Sequence, residues 1–144
     1  MLRYRIALAA LTVAICAGLS GHVISARARA IGDLNPKAIT ITLPADIKWT
    51  KNAASERAVL YGDPSKTGLY AVRNRFPPGT LTRPHFHPND RFIYVVSGTW
   101  WVGTGEKFDP DSTKPMPAGS FVVHYGGKVH YDGAKNEECE VIIF

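Results

Sequence analysis

Short strand-like runs separated by turn residues constrain the fold of this chain more than any other feature of its sequence. These runs are rich in β-branched and aromatic side chains and end at Gly, Pro or Asp. They cover residues 69–76, 92–96, 99–102, 121–125 and 139–144. No long stretch repeats its apolar residues at the spacing of an amphipathic helix. Many short strands joined by such turns predict an all-β chain that forms one small sandwich or barrel.

Three local patterns add detail to this prediction. Residues 39–43 alternate apolar and hydroxyl side chains, which predicts a half-buried strand at the start of the domain. Residues 52–58 could form a short helical turn. Because only Ser97-Gly98 separates the runs at 92–96 and 99–102, we expect these two runs to pair as a hairpin.

The first thirty residues have the organisation of a secretory signal. Arg3 and Arg5 precede an apolar run at residues 6–19, and Ala28-Arg29-Ala30 places small residues where a signal peptidase cleaves. The apolar run is shorter than the roughly 20 residues that a membrane-spanning helix needs. We therefore expect a cleaved signal peptide over residues 1–30, export to the periplasm or the medium, and no membrane attachment after cleavage.

The remaining sequence predicts a flexible leader over residues 31–38 and one β-barrel domain over residues 39–144, since a chain of this length buries a single core. Cys139 is the only cysteine beyond the predicted signal, so no intrachain disulfide can form. A small domain without a disulfide depends on its core, on a metal or on a partner subunit. Apolar runs at residues 39–43 and 141–144 would leave strand edges to cover, which favours a homodimer.

The charge of the predicted mature chain argues against a nucleic-acid partner. The whole sequence has 17 basic and 12 acidic residues. Four of the basic residues are arginines of the predicted signal, which contains no acidic residue, so the mature chain has a net charge of +1. A net charge this close to zero provides no excess of basic residues to neutralise a phosphate backbone. We expect a small-molecule ligand instead.

Four of the five histidines lie between positions 85 and 130, within strand-like sequence. His85 and His87 are separated by one residue, so on a strand both imidazoles face the same side. Two imidazoles on one face are a natural pair of metal ligands. A structural pair that is hydrogen-bonded inside a barrel would have the same spacing.

The glycines and prolines around these histidines form two motifs. The first reads Gly79-x5-His85-x-His87-x3-Arg91-x6-Gly98, and the second reads Pro117-Ala118-Gly119-x10-His130. In this order and spacing they resemble the two motifs of the cupin superfamily in its one-domain form. The resemblance implies a small jelly-roll β-barrel, which agrees with the separate reading of the strands.

The resemblance also implies a metal site. In cupins the histidines at the positions of His85, His87 and His130 point into the barrel and share one divalent metal ion, which here could be Fe, Mn, Ni or Zn. The fourth ligand of the family is a Glu, but this chain has Arg91 at that position. A guanidinium stays charged and cannot ligate a cation.

Arg91 leaves three arrangements open. The first is a site of three histidines with coordination positions free for water and substrate. The second adds Asp90, which on a regular strand faces the opposite way and would need a bulge to turn inward. In the third, the barrel holds no metal, and Arg91 with the histidines binds an organic anion. His124 is expected to be an ordinary strand residue, and Arg91, Asp90 and His124 are the expected residues of the substrate pocket.

Two functions fit these arrangements. The first is a metal-dependent, dioxygenase-like enzyme that acts on a small molecule at the open coordination positions; the family includes dioxygen-activating members with only three histidines. Asp90, His124 and Tyr131 are the only nearby candidates for a general base. The alternative is a non-catalytic binding or sensor module in which Arg91 holds an organic anion. The sequence does not identify the substrate.

Overall fold

The computed structural model describes residues 34–144. The predicted signal peptide at residues 1–30 lies outside this range and stays a prediction. Residues 34–41 form part of one compact unit and residues 42–144 form a second. Within 34–144, no helix has both the length and the apolar character needed to cross a membrane.

Residues 42–144 fold into two antiparallel sheets, which confirms the all-β prediction. The nine strands are β1 (Thr50–Lys51), β2 (Glu56–Tyr61), β3 (Ala71–Phe76), β4 (Arg91–Ser97), β5 (Thr99–Thr104), β6 (Lys114–Pro117), β7 (Phe121–His124), β8 (His130–Gly133) and β9 (Cys139–Ile143). One sheet has the order β1-β2-β3-β9-β4-β7, and the other has the order β6-β5-β8. Two short 3-10 turns, Pro44–Asp46 and Pro110–Ser112, complete the secondary structure that is described.

The core lies where the two sheets face each other. Along β3 every second side chain is buried, as the period of a strand requires when one face of a sheet is covered. The larger sheet contributes most of the core, and Trp100 of β5 is fully buried against it. The buried apolar residues are Val72, Phe76, Ile93, Val95, Trp100, Ala134, Cys139, Val141 and Ile143.

Two of the local predictions are wrong. Residues 39–43 form no strand, although their side chains alternate, because alternation produces a strand only where a neighbouring strand supplies hydrogen bonds. Residues 56–58 belong to β2 and not to a helical turn. There Glu56, Arg57 and Ala58 pair with β3 in antiparallel register.

The expected hairpin between the runs at 92–96 and 99–102 is also wrong. The two runs become β4 and β5, but β4 pairs with β7 and β9 while β5 pairs with β6 and β8. The chain therefore passes from one sheet to the other at Gly98. This glycine has a φ of +67°, and a Cβ placed on it would lie 2.2 Å from the carbonyl oxygen of Glu138. Only glycine fits this crossing.

The edge argument for a homodimer is wrong for its C-terminal part. Strand β9 lies between β3 and β4, so it exposes no free edge. Residues 39–43 likewise offer no strand edge. The homodimer itself stays a prediction, but exposed strand edges in these two segments no longer support it.

Candidate metal centre

His85 and His130 are held opposite each other by the backbone. The amide of His85 donates to the carbonyl of His130 at 2.9 Å, and the amide of His130 donates to the carbonyl of His85 at the same distance. A pair of residues that exchange both hydrogen bonds in an antiparallel ladder has its side chains on the same face. The two imidazole centroids are 4.6 Å apart.

In both imidazoles the same ring nitrogen, Nδ1, forms a hydrogen bond to the backbone. Nδ1–H of His85 donates to the carbonyl of Arg83 at 2.8 Å, and Nδ1–H of His130 donates to the carbonyl of Lys128 at 3.0 Å. Because a carbonyl can only accept, these bonds place the proton on Nδ1 and leave Nε2 with its lone pair free. The Nε2 of His130 is buried and has no partner among the described residues. This is the arrangement that metal-ligating histidines usually have.

His87 completes the group. Its ring centroid lies 4.8 Å from that of His85 and 5.2 Å from that of His130. One ligand atom from each of the three residues lies within 4.8 Å of the others. Three imidazole nitrogens at this separation fit a transition-metal ion such as Zn(II), Fe(II), Mn(II) or Ni(II) after a small inward adjustment.

Arg91 points into the same space and contacts His87. Its Nη1 donates to Nε2 of His87 at 2.9 Å. Burial is the main cause that lowers the pKa of Arg91, and the positive charge of Arg57 lowers it further, while Tyr70 and Asp132 act in the opposite direction. Since Nε2 has one lone pair, His87 cannot accept this bond and ligate a metal at the same time.

His124 and Asp132 form a second group with His130. The rings of His124 and His130 are 3.8 Å apart, and Nε2 of His124 is also buried without a partner in the part of the chain that is described. One ligand atom from each of His124, His130 and Asp132 lies within 4.8 Å of the others. Sequence reasoning missed Asp132, although its position two residues after His130 on β8 puts both side chains on one face.

The surroundings keep His87, His124 and His130 neutral. Burial, followed by the charges of Arg91 and the neighbouring histidines, lowers the pKa of His87 to about 4. Burial and the same neighbours lower the pKa of His124 to about 3. Burial also lowers the pKa of His130 and raises that of Asp132 to about 6. Neutral imidazoles are the form that binds metal.

The other two candidate bases lie away from the cluster. Asp90 is exposed, and its Oδ1 accepts a hydrogen bond from the amide of Gly126 at 2.8 Å. Tyr131 is buried, and its hydroxyl donates to the carbonyl of Asp109 at 3.0 Å. The structure therefore does not bring Asp90 to the histidines as a fourth ligand, and the phenol of Tyr131 is engaged elsewhere.

A cavity of about 290 Å³ opens beside the histidines. Its apolar wall includes Phe76, Ile93 and Trp100, and its polar lining includes Arg57, Arg91, Asp132, Asn74, His85, His87 and His124. Sequence reasoning missed Arg57, because residues 52–58 carry no local signal that they become a strand beside this cavity. The expected pocket residues Arg91 and His124 line it, whereas Asp90 lines only an adjoining depression, which His87 and Arg91 also border.

Solved structures with the same architecture identify the fold. The chain superposes on an RmlC-like cupin from Shewanella frigidimarina with a TM-score of 0.57 and 17% identity, over 73% of this chain and 89% of that one. This chain has a cupin fold. The resemblance that the two motifs imply is thus confirmed at the level of the fold.

Two further structures share the cupin fold with this chain. KdgF from Halomonas sp. gives a TM-score of 0.59 at 22% identity, over 72% of this chain and 91% of that one. The polyketide cyclase RemF from Streptomyces resistomycificus gives a TM-score of 0.60 at 18% identity, over 73% of this chain and 77% of that one. No protein-family model matches this chain, and no curated protein matches it in sequence. At these identities the likeness carries the fold and no substrate.

Proposed function

We propose that this cupin-fold protein binds one divalent transition-metal ion through His85, His87 and His130 and acts as a metal-dependent enzyme on a small molecule. The observation that carries the proposal is the matched pair of His85 and His130. Their Nδ1 protons are directed to backbone carbonyls, which leaves the lone pair of each Nε2 free to bind a metal. The buried Nε2 of His130 has no partner among the described residues. An unpaired buried nitrogen costs roughly 1–3 kcal/mol, which a bound metal would remove.

The three-histidine group suits catalysis better than the group of His124, His130 and Asp132. All three residues of the second group are buried, whereas His85 and His87 are partly exposed to the cavity. Three imidazoles leave further coordination positions free. A bound Fe(II), Mn(II), Ni(II) or Zn(II) would supply Lewis-acid chemistry there, and a redox-active one would also supply dioxygenase-like chemistry.

The chain itself would position the substrate and limit the access of water. Phe76, Ile93 and Trp100 give the cavity an apolar wall, and Trp100 is 1% exposed. The volume of about 290 Å³ is that of a small-molecule site. His124 also lines the cavity, and its neutral ring has an Nε2 without a partner among the described residues, so this nitrogen is available for a hydrogen bond to the substrate.

Elemental analysis of the purified protein tests this proposal. The protein is loaded separately with Fe(II), Mn(II), Ni(II) and Zn(II) and then freed of unbound metal. We expect one ion per chain in the wild type and a large loss in His130→Ala. Metal-dependent turnover would then be sought with the small molecules that mass spectrometry finds in the purified protein. A wild type that retains none of the four metals contradicts the proposal.

A second candidate function rests on the bond between Arg91 and His87. In this alternative the cavity holds no metal and serves as a binding or sensor module for an organic anion, with Arg91 as the main contact. The same elemental analysis separates the two. Absence of metal together with a co-purified organic acid would favour the binding module.

A further inference from the structure

Two arginines of the cavity have no acidic partner in the part of the chain that the structure describes. Within residues 34–144, no carboxylate lies at ion-pair distance from Arg57 or Arg91, although both line the cavity. The two arginines of the neighbouring strand β3 differ in this respect, since Arg73 and Arg75 both pair with Glu140. The fold therefore neutralises one pair of arginines and leaves the other pair facing the cavity.

Arg57 is oriented by the strand next to it. Arg57 of β2 and Asn74 of β3 are opposite each other in the antiparallel register. Nε of Arg57 donates to Oδ1 of Asn74 at 3.3 Å, and Asn74 is 8% exposed. This bond uses the inner nitrogen of the guanidinium. The two outer NH₂ groups stay available, and they are the groups that hold an oxyanion in a two-point contact.

The cavity has an excess of positive charge, which favours the binding of an anion. Among the described residues, Asp132 is the only carboxylate that lines it, against the guanidinium groups of Arg57 and Arg91. A divalent ion on the histidines would add two further positive charges. Charges that are removed from water need opposite charges close by. A negatively charged group on the ligand would supply that balance.

We propose that Arg57 and Arg91 together bind the carboxylate of a small organic acid, and that this carboxylate and the metal ion bind cooperatively. The inference rests on the proposed metal-dependent function and names the class of its substrate. Cooperativity follows from the bond between Arg91 and His87. For His87 to ligate a metal, Arg91 must leave Nε2, and a half-buried guanidinium that loses one acceptor needs another. The carboxylate supplies it.

The coupling is reciprocal, because each ligand changes the affinity for the other by the same factor. An anion that draws Arg91 away from His87 frees a metal ligand. A metal ion that takes His87 frees Arg91 for the anion. Inorganic phosphate shares the oxyanion chemistry of a carboxylate, so it serves as the second probe.

The test measures Zn(II) affinity by equilibrium dialysis without and with saturating acetate or inorganic phosphate. In the wild type we expect acetate to tighten Zn(II) binding by more than about fivefold. In Arg57→Gln and in Arg91→Gln the gain should fall below about twofold. Lys107→Gln is the control. It removes one positive charge from an exposed side chain outside the cavity lining, so it should keep the wild-type gain.

The outcomes separate this inference from the proposed function. If both cavity variants keep the full gain with acetate, the anion binds the metal alone and the arginine site is wrong. If phosphate gives a gain that depends on the arginines and acetate gives none, the carboxylate class is wrong. If the wild type binds no Zn(II), the proposed function fails. In that case, ligand-observed NMR with acetate on the metal-free protein tests the arginine site by itself. The site requires that acetate bind to the wild type and that this binding be lost in Arg57→Gln.

Discussion

His85 and His130 exchange both of their backbone hydrogen bonds at 2.9 Å, and each then donates its Nδ1 proton to a carbonyl two residues earlier in the chain. One ligand candidate from each motif is thus fixed by the same local arrangement, repeated on two segments 45 positions apart. Backbone hydrogen bonds set both the distance between the rings and the nitrogen that each ring presents. Little side-chain entropy remains to be lost when a metal binds.

Removal of single histidines should separate the two possible metal groups. We expect His85→Ala, His87→Ala and His130→Ala each to lower Zn(II) affinity by about 10- to 100-fold or more, and double variants to add little, because the site acts as a unit. His124→Ala should leave the metal content nearly unchanged. Metal stoichiometry after dialysis measures this. Loss of metal in His124→Ala and Asp132→Asn with retention in His87→Ala would place the ion in the second group.

Replacement of Arg91 by the family residue should strengthen metal binding. Arg91→Glu removes a positive charge that occupies Nε2 of His87 and adds a carboxylate at the same position. We expect Zn(II) affinity to rise by about tenfold or more, since even at an effective dielectric of 20 the lost repulsion amounts to about 1–4 kcal/mol.

Arg91→Gln is the control for that change, because it removes the charge without adding a ligand, and an intermediate affinity is expected. Affinities of Arg91→Glu at or below the wild-type value would show that Arg91 does not compete with the metal. If the chain is instead a metal-free binding module, Arg91→Glu should abolish the binding of an organic anion.

The metal-free protein should lose stability as the pH falls from about 6.5 towards 4. His87 and His124 have folded pKa values of about 4 and about 3, below the ordinary value of 6.5. Between these pH values the two histidines therefore bind protons in the unfolded chain but not in the folded chain. The stability present above pH 6.5 is lost on acidification. The raised pKa of Asp132, about 6, acts in the opposite direction and offsets part of the loss.

The net loss between pH 7 and pH 5 should be on the order of 1–2 kcal/mol, after allowance for solvent screening at the half-buried His87. Urea denaturation at the two pH values measures it. His124→Asn should show a smaller difference between them. A midpoint that stays constant or rises at pH 5 would contradict the assignment of neutral histidines.

Glu140 should contribute strongly to stability. Its buried carboxylate pairs with Arg73 and, at 2.8 Å, with Nε of Arg75. Glu140→Ala leaves two partly buried guanidinium groups without this partner, and we expect a loss of about 2–4 kcal/mol in the free energy of unfolding.

Glu138→Ala is the matched control for Glu140→Ala. The Glu138 side chain is 54% exposed and lies 3.6 Å from Arg75, so its removal should cost less than about 1 kcal/mol. Denaturant unfolding of both variants gives the comparison. Equal losses would show that burial does not set the strength of these pairs.

Export should be visible at the N-terminus of the protein. The apolar run at residues 6–19 and the small residues before Ile31 predict cleavage close to that position. N-terminal sequencing of the protein from the periplasm or the medium should give a chain that begins near Ile31. Recovery of the intact chain with Met1 from the cytoplasm would show that no export signal operates.

The sequence by itself determined the fold class and the local part of the site. Turn residues at regular intervals and the period of two along each strand predicted an all-β chain, because these features depend on neighbours only a few positions away. The same period placed His85 and His87 on one face. The resemblance to the two cupin motifs added His130 to this pair, and the structure places the three side chains together.

Only the tertiary structure decided which strands meet. It separated β4 from β5 at Gly98, set Arg57 and Asn74 opposite each other, and brought His124 and Asp132 against His130. It also turned Arg91 onto His87, a contact on which the metal and anion proposals both depend. Such pairings depend on the burial of a shared core and on hydrogen bonds between segments that are far apart in the sequence. A local pattern of residues contains information about neither.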